Sequence, residues 1–412
     1  MAKWQGDNLS VEIYGASHDQ EIGVVFSGFP KEEFDGGAVR RLLLRRSAKA
    51  AVYSTPRREA DEPVYLAGVT GIAGCDGDNE TAGERLNSSA GQNGAACAEQ
   101  NSARKEPYFL TGEAGKIVFY NKNVKSGDYN ALYGKPRPSH ADYAAYLKDG
   151  RLDFSGGGEF SGRLTAPLVA AGGIAKDLLL RRGIKVIAYV SRVGNATGFT
   201  YRTASAEELL VALNRYETEI ERDAAYFPAI RGKDAMLAEI SAAKAEDDSV
   251  GGRVECACLG VPGGVGGALF SGLEGKISAL LYAIPAVKGV EFGDGFDFCK
   301  ERGGEANDPI TFQNGRIATE TNRAGGINGG IANGMPITLA AAFRPTPSIG
   351  KKQRTVDLVK KENCEIEISG RHDACIVPRA VAAVEAAVSL AILDEILTFE
   401  REKVQTDGGF RP

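Results

Sequence analysis

Histidine is scarce in this chain, with three in 412 residues. Long apolar runs are missing too: no stretch reaches the ~18 uninterrupted apolar residues of a membrane helix. The opening MAKWQGDNLSVEIYG lacks the basic-then-apolar layout of a secretory signal. A cytoplasmic protein with no membrane partner is therefore expected. Basic residues do not predominate: 49 Lys and Arg face 54 Asp and Glu, giving a net charge of −5 and a sequence pI near 5.6. That balance argues against a nucleic-acid partner, although a basic pocket inside an acidic protein stays compatible with it. The seven cysteines, at positions 75, 97, 256, 258, 299, 364 and 375, are odd in number and fit no zinc spacing. No metal is expected, and the thiols read as reduced. The stretch GVPGGVGGALF misses the G-x-G-x-x-G spacing, and neither a Walker A sequence nor a Gly-x-Ser-x-Gly elbow is present.

What is present is an ordinary globular composition, 43% hydrophobic and 25% charged. No linker divides it, so residues 1–412 read as a single domain of mixed α and β elements joined at glycines. Strands are predicted at 9–15, 21–29, 63–74 and 115–124, and in IKVIAYVSRVG, GGRVECACLGVPGG, AVKGVEFGDGF and GMPITLAAAFRPT. Alternation in RVECACLGV places Cys256 and Cys258 on one strand face. Helices are predicted over 34–48, with Arg40, Arg41, Arg45 and Arg46 on its surface, over 163–183, and from Pro378 to about 401. Residues 204–247 read as charged amphipathic helices around an exposed connection. From about 76 to 106 almost no apolar residue exceeds Ala in size, so this stretch reads as a flexible surface insertion.

The three histidines occur as Ser17-His18-Asp19, Ser139-His140-Ala141-Asp142 and Arg371-His372-Asp373, each at the end of a strand or the start of a helix. Any one alone suits a structural role, but three of this kind together suggest a site that moves protons. Arg46, Arg57, Arg58, Arg137, Arg163 and Arg371 add guanidiniums, which match carboxylates and phosphates bidentately. Converging arginines indicate a small polyanionic substrate. SGGGEFSGRLTAP sets three glycines ahead of a helix whose free N–H groups could cradle an anion.

Together these segments resemble the chorismate synthases, from Gly15 to about Asp394. GASHDQEIG, RRSA, TPRREAD, SGDY, RPSHADY, GGGEFSGRLTAP, IPAVKGVEFGDGF, GGINGGIANGMPI, FRPTPSI and GRHDACIVPRAVAAVEAAV follow the family's motifs in order. The resemblance implies an α+β fold, a layered β-α-β sandwich with helices between two antiparallel sheets, assembled as a homotetramer. It implies a carbon–oxygen lyase that removes phosphate from 5-enolpyruvylshikimate 3-phosphate by 1,4-anti elimination, giving chorismate with reduced FMN (FMNH2). His18 is then the acid for the departing phosphate, His140 sits by the flavin ring, and Asp373 helps remove the ring proton. Arg46, Arg57, Arg163 and Arg371 fall on substrate positions. Glu159, Phe160, Ser161, Pro285, Ala286, Gly329, Arg344, Pro345, Thr346, Pro347, Ser348 and Arg371 fall at the flavin. His372 takes a structural role. The chain departs from the pattern at Ala16 and Asp19, where the family has Glu and Gly, at Ser139 for Gly, at Arg344 for Lys, and at Glu159 for Arg or His. Glu159 would weaken flavin binding unless it turns to solvent or pairs with an Arg. Two competing readings are a relative that binds flavin or a phosphorylated ligand without turnover, and a flavin oxidoreductase using a nicotinamide donor such as NADPH.

Overall fold

The computed structural model describes residues 1–47, 61–71, 106–121, 132–154, 156–223, 226–313, 315–368 and 373–407. The expected insertion, apart from Glu106, lies outside these residues, as do Arg57, Arg58, Arg371 and His372. Two five-stranded antiparallel sheets enclose a layer of helices. The first sheet runs, in spatial order, Ala2–Gln5, Ser10–Tyr14, Glu21–Ser27, Gly115–Tyr120 and Val64–Ala67. Its inward face is set by alternation: Ile22, Val24 and Phe26 are buried while Val25 is exposed. The second sheet runs Ala196–Thr197, Lys185–Val193, Gly252–Leu259, Ile337–Phe343 and Val287–Phe292. Cys256 and Cys258 both point from it into the main core, and the intervening Ala257 faces a second apolar cluster. That cluster joins Tyr189 and Ala340 to Leu213 and Tyr216 of the helix Ala206–Arg222, which covers the sheet's outer face.

The middle layer holds the helices Gly36–Arg46, Thr165–Arg181 and Val377–Asp407. The second is apolar around its circumference, with Ala166 to Ala175 buried without a break, as a helix covered on both sides must be. It packs on the first sheet, and Val377–Asp407 packs on the second. The two helices meet at Gly172, where a Cβ would lie 2.4 Å from the Ala386 Cβ. Only glycine permits that approach. Pro378 is tolerated inside the closing helix because the first-turn N–H groups have no intrahelical partner.

Three expectations need correction. Helix Gly36–Arg46 does not carry all four arginines on its surface: Arg46 is 2% exposed and the Arg45 side chain 13%. The connection between the helices Ala206–Arg222 and Lys233–Ala245 is not an exposed one, since Phe227 and Ala229 are buried in the core. The strand expected over 63–74 divides at Gly68 (φ +68°) into Val64–Ala67 and Val69–Gly71, which join different sheets.

The two ends of the described chain are tied together. The Asp394 carboxylate accepts the N–H groups of Asp7, Asn8 and Leu9 at 2.9, 2.8 and 2.7 Å.

Candidate active site

His140 precedes the helix Asp142–Asp149, and its Nδ1 lies 2.5 Å from Asp142 Oδ1. An ionised carboxylate only accepts, so Nδ1–H donates and Nε2 is left for a ligand. Arg137 fixes the acceptor, donating from Nε and Nη2 to Asp142 at 2.7 and 2.8 Å. Burial pushes the Asp142 carboxyl upward, but Arg137 and His140 outweigh it and hold the group at about 2. Ser139 carries φ +58°, a left-handed conformation that explains why glycine suits this position.

His18 follows the strand Ser10–Tyr14, in a turn that Asp19 closes by accepting the Ala16 N–H at 2.7 Å. The Asp19 carboxylate thus serves its own turn. The His18 ring lies on Gly156, where an added Cβ would stand 1.8 Å from Nε2. The Gly156 carbonyl accepts Arg137 Nη2 at 2.6 Å, so one glycine joins the surroundings of both histidines. The Ser17 N–H donates to the Gly158 carbonyl at 3.1 Å. Two 3-10 turns, Gly158–Phe160 and Gly162–Leu164, separate the three glycines from the helix Thr165–Arg181, and Ser161 caps the second by accepting the Arg163 N–H.

Arg46 and Arg163 share a single buried carboxylate, Asp61, each guanidinium taking one oxygen. Guanidiniums match anionic groups bidentately, so a pair gathered on one buried carboxylate suits an anion site. Arg46 also donates to Thr165 Oγ1 at 2.9 Å, and Arg163 to Asn121 Oδ1 at 3.2 Å. The Arg46 carbonyl accepts Arg379 Nε at 3.1 Å, and Arg379 Nη1 donates to Asp373 Oδ2 at 2.7 Å. The Asp373 carbonyl accepts Thr346 Oγ1 at 2.8 Å. Two residues before it, Arg344 donates from its backbone N–H to the Ala286 carbonyl at 3.0 Å, and from Nη1 to the Ser139 carbonyl at 2.5 Å. On the other side, Asn121 Nδ2 donates to the Asp19 carbonyl at 2.7 Å. Joined in places through chain neighbours, the contacts close on themselves: His18, Gly156, Arg137, His140, Ser139, Arg344, Thr346, Asp373, Arg379, Arg46, Asp61, Arg163, Asn121 and Asp19 form one ring.

Three buried polar atoms along this ring have no hydrogen-bond partner among the described residues: Ser17 Oγ, Arg344 Nε and Asp373 Oδ1. An unsatisfied buried group costs about 1–3 kcal/mol, and such groups are expected where a ligand completes them. The residues present fit a large anionic cofactor: a guanidinium with an unused donor, the bend at Ala286 (φ +76°), and the cap of Ser161 stand on neighbouring segments. Phe160 is exposed, and Glu159 is half-exposed and accepts from Arg151 Nη2 at 3.2 Å. The negative charge introduced at Glu159 is thereby partly offset. Pro345, Pro347 and Ser348 lie on the same loop as Arg344 and Thr346, and Pro285 adjoins Ala286. Gly329 stands apart, in the turn between Ile327–Asn328 and Ile331–Ala332, which is bonded to the segment Gly264–Leu273. Arg137 was expected only as one of the converging arginines, and Asp61, Asn121, Gly156 and Arg379 were not among the expected site residues. Asp61 and Arg379 lie inside the motifs TPRREAD and GRHDACIVPRAV, and that placement was the available signal.

Residues 108–397 match the family model described as chorismate synthase. A chorismate synthase from Thermococcus gammatolerans is 40% identical over 403 residues, covering 95% of this chain and 97% of its own. One from Archaeoglobus fulgidus is 39% identical over 393 residues, covering 95% and 96%. A solved structure described as a crystal structure of chorismate synthase superposes with a TM-score of 0.65 at 20% identity, covering 96% of this chain and 93% of that one. Its likeness bears on the fold, the layered sandwich. The sequence matches bear on descent: the chain is an enzyme that belongs to the chorismate synthase family.

Proposed function

We propose that the protein is a carbon–oxygen lyase that eliminates phosphate from 5-enolpyruvylshikimate 3-phosphate to give chorismate, with reduced FMN as its cofactor. The observation that carries this reading is the ring itself, which brings His18, His140, Asp373, Arg46 and Arg163 together with buried, unpartnered polar atoms among them. Arg46 and Arg163 hold the substrate's anionic groups, and Arg57 and Arg371 join them in this reading. His18 donates its proton to the departing phosphate, a step worth roughly 10²–10⁴ in rate for a positioned acid. Asp373 accepts the ring proton at Oδ1. His140, its Nδ1 fixed by Asp142, presents Nε2 to the flavin. Ser161, Ala286 and the Arg344 to Ser348 loop hold that cofactor. Reduced FMN, when bound, is the electron-rich ring the elimination requires, although no net oxidation or reduction results.

The reading extends to a single cytoplasmic domain assembled as a homotetramer. Self-association is supported by a hairpin, Ile310–Gln313 with Arg316–Thr319, whose Ile310, Phe312 and Ile317 are 75, 73 and 75% exposed. Among the described residues no helix is long and apolar enough to cross a membrane. The deciding experiment is an anaerobic assay with reduced FMN and 5-enolpyruvylshikimate 3-phosphate. Chorismate formation is expected; flavin binding without product would sink the reading, and light scattering tests the tetramer.

A further inference from the structure

The two oxygens of Asp373 stand in different situations. Oδ2 accepts from Arg379 Nη1 at 2.7 Å, while Oδ1 is buried and has no partner among the described residues. Arg379 lies in the first turn of the closing helix with its side chain 22% exposed. Its Nε donates to the Arg46 carbonyl at 3.1 Å, so one planar guanidinium ties the carboxylate to the end of the helix that carries Arg46. From the opposite side Thr346 Oγ1 holds the Asp373 carbonyl at 2.8 Å.

We infer that Arg379 is a positioning residue for the elimination, fixing Asp373 in one orientation as an anion and leaving Oδ1 as the oxygen that takes the substrate proton. This rests on the function proposed above, in which Asp373 is the proton acceptor. A carboxylate held through one oxygen keeps the other open to an incoming proton, and one bonded through neither rotates between orientations and must be ordered at each turnover. A guanidinium that engages a carboxylate and a fixed carbonyl through different nitrogens locks its own plane and the carboxylate's angle at once. The other groups facing Asp373 are few among the described residues. Cys375 is buried, and burial pushes its thiol up to about 12, so it stays neutral. The Arg344 to Ser348 loop presents the Thr346 hydroxyl, and the helix Gly36–Arg46 presents a backbone carbonyl. Among the described residues Arg379 is the cation bonded to this carboxylate.

The test is steady-state turnover of the reduced-FMN enzyme against pH for Arg379→Gln, Arg379→Lys and Asp373→Asn, with melting curves for each. Removing the guanidinium lets the Asp373 carboxylate rotate, so kcat in Arg379→Gln falls roughly 10- to 100-fold at every pH through lost alignment. KM stays within about twofold because Arg379 contacts the carboxylate and a carbonyl rather than the substrate. Arg379→Lys recovers part of kcat but not all of it, since an ammonium lacks the planar fork. Wild-type kcat in Arg379→Gln, or a loss confined to KM, would overturn the inference. Should Arg379→Gln not fold, Arg379→Lys decides alone, and wild-type kcat at every pH would overturn it. Asp373→Asn separates the two levels: retained turnover there removes Asp373 as the acceptor and the proposed role with it. Its loss, alongside wild-type kcat in Arg379→Gln, removes only the role of Arg379.

Discussion

Arg45 and Arg46 are neighbours in sequence and end in two clusters of the same stoichiometry. Arg45 and Lys176 share Glu385, and Arg46 and Arg163 share Asp61. Around Glu385 everything is regular structure: Arg45 donates twice at 2.9 Å, Lys176 donates at 2.5 Å, and the Ala188 N–H of a central strand donates at 3.0 Å. Around Asp61 one partner, Arg46, ends the helix Gly36–Arg46 and the other, Arg163, lies in the 3-10 turn Gly162–Leu164, and the positive-φ residues Ser139, Gly156 and Ala286 stand on the segments beyond. The same ion pairing thus joins helices and a strand on one side of the helix Gly36–Arg46 and, in the proposed function, serves ligand chemistry on the other. What differs is the backbone around the pair, regular at Glu385 and turning at Asp61.

The comparison breaks first at Glu385. Glu385→Gln leaves two cations facing a neutral amide in the core, and a loss of about 3–5 kcal/mol in denaturant unfolding is expected, with kcat of the folded fraction nearly unchanged. Burial pushes this carboxyl up, but Arg45 and Lys176 outweigh it and hold it at about 2. A depressed pKa contributes stability above the unfolded value near ~4.3, and that contribution, about 3 kcal/mol, is lost as pH falls through about 2. The acid slope of stability between these values should therefore be shallower in Glu385→Gln than in wild type. Gly156→Ala strikes the other region: with φ +64° and the His18 ring at 1.8 Å from the new Cβ, it displaces the histidine. A kcat decrease of roughly 10²-fold with FMN still bound is the expected reading, and unchanged turnover would separate His18 from the chemistry.

Asp61→Asn sharpens the contrast. It removes a negative charge between Arg46 and Arg163, and inorganic phosphate should then bind several-fold more tightly, a gain of about 1 kcal/mol read by thermal shift. Glu385→Gln is the matched control, since its cations Arg45 and Lys176 line a cavity of their own, and a phosphate gain confined to Asp61→Asn would mark the Arg46–Arg163 pair as the anion site. Equal phosphate responses in Asp61→Asn and wild type would mean that Arg46 and Arg163 are closed to solutes. Smallest is Ser139→Gly, which relieves a left-handed serine and should raise the denaturation midpoint by the equivalent of up to about 1 kcal/mol.

The single helices and strands were legible because periodicity is local, whereas their layering came from the family resemblance. Unbroken apolarity marked the helix Thr165–Arg181, and alternation placed Cys256 and Cys258 on one face. The fates of Arg45 and Arg46 were not legible, since burial there depends on Glu385 and Asp61, which reach them only through tertiary packing. His18, His140 and Asp373 could be placed from their motifs, but not Arg379 or Gly156, whose roles consist of contacts with other segments. The short strands Gln353–Asp357 and Glu362–Ile366 also went unseen, each being five residues without strong alternation.

The Asp394 carboxylate that gathers the N–H groups of Asp7, Asn8 and Leu9 bears on how the chain is made. These bonds span 385 to 387 residues. At a ribosomal pace of about 5–20 residues per second, the partner of the first hairpin emerges roughly 20 to 80 s after it. A two-stranded hairpin is marginal in water by itself. The inward face with Leu9, Val11, Ile22, Val24 and Phe26 has no middle layer to cover it until the later helices are synthesised. During translation this amino-terminal sheet is a sticky nascent surface, and a holding chaperone has its natural target there rather than in the second sheet, whose last central strand precedes the closing helix by only a few dozen residues.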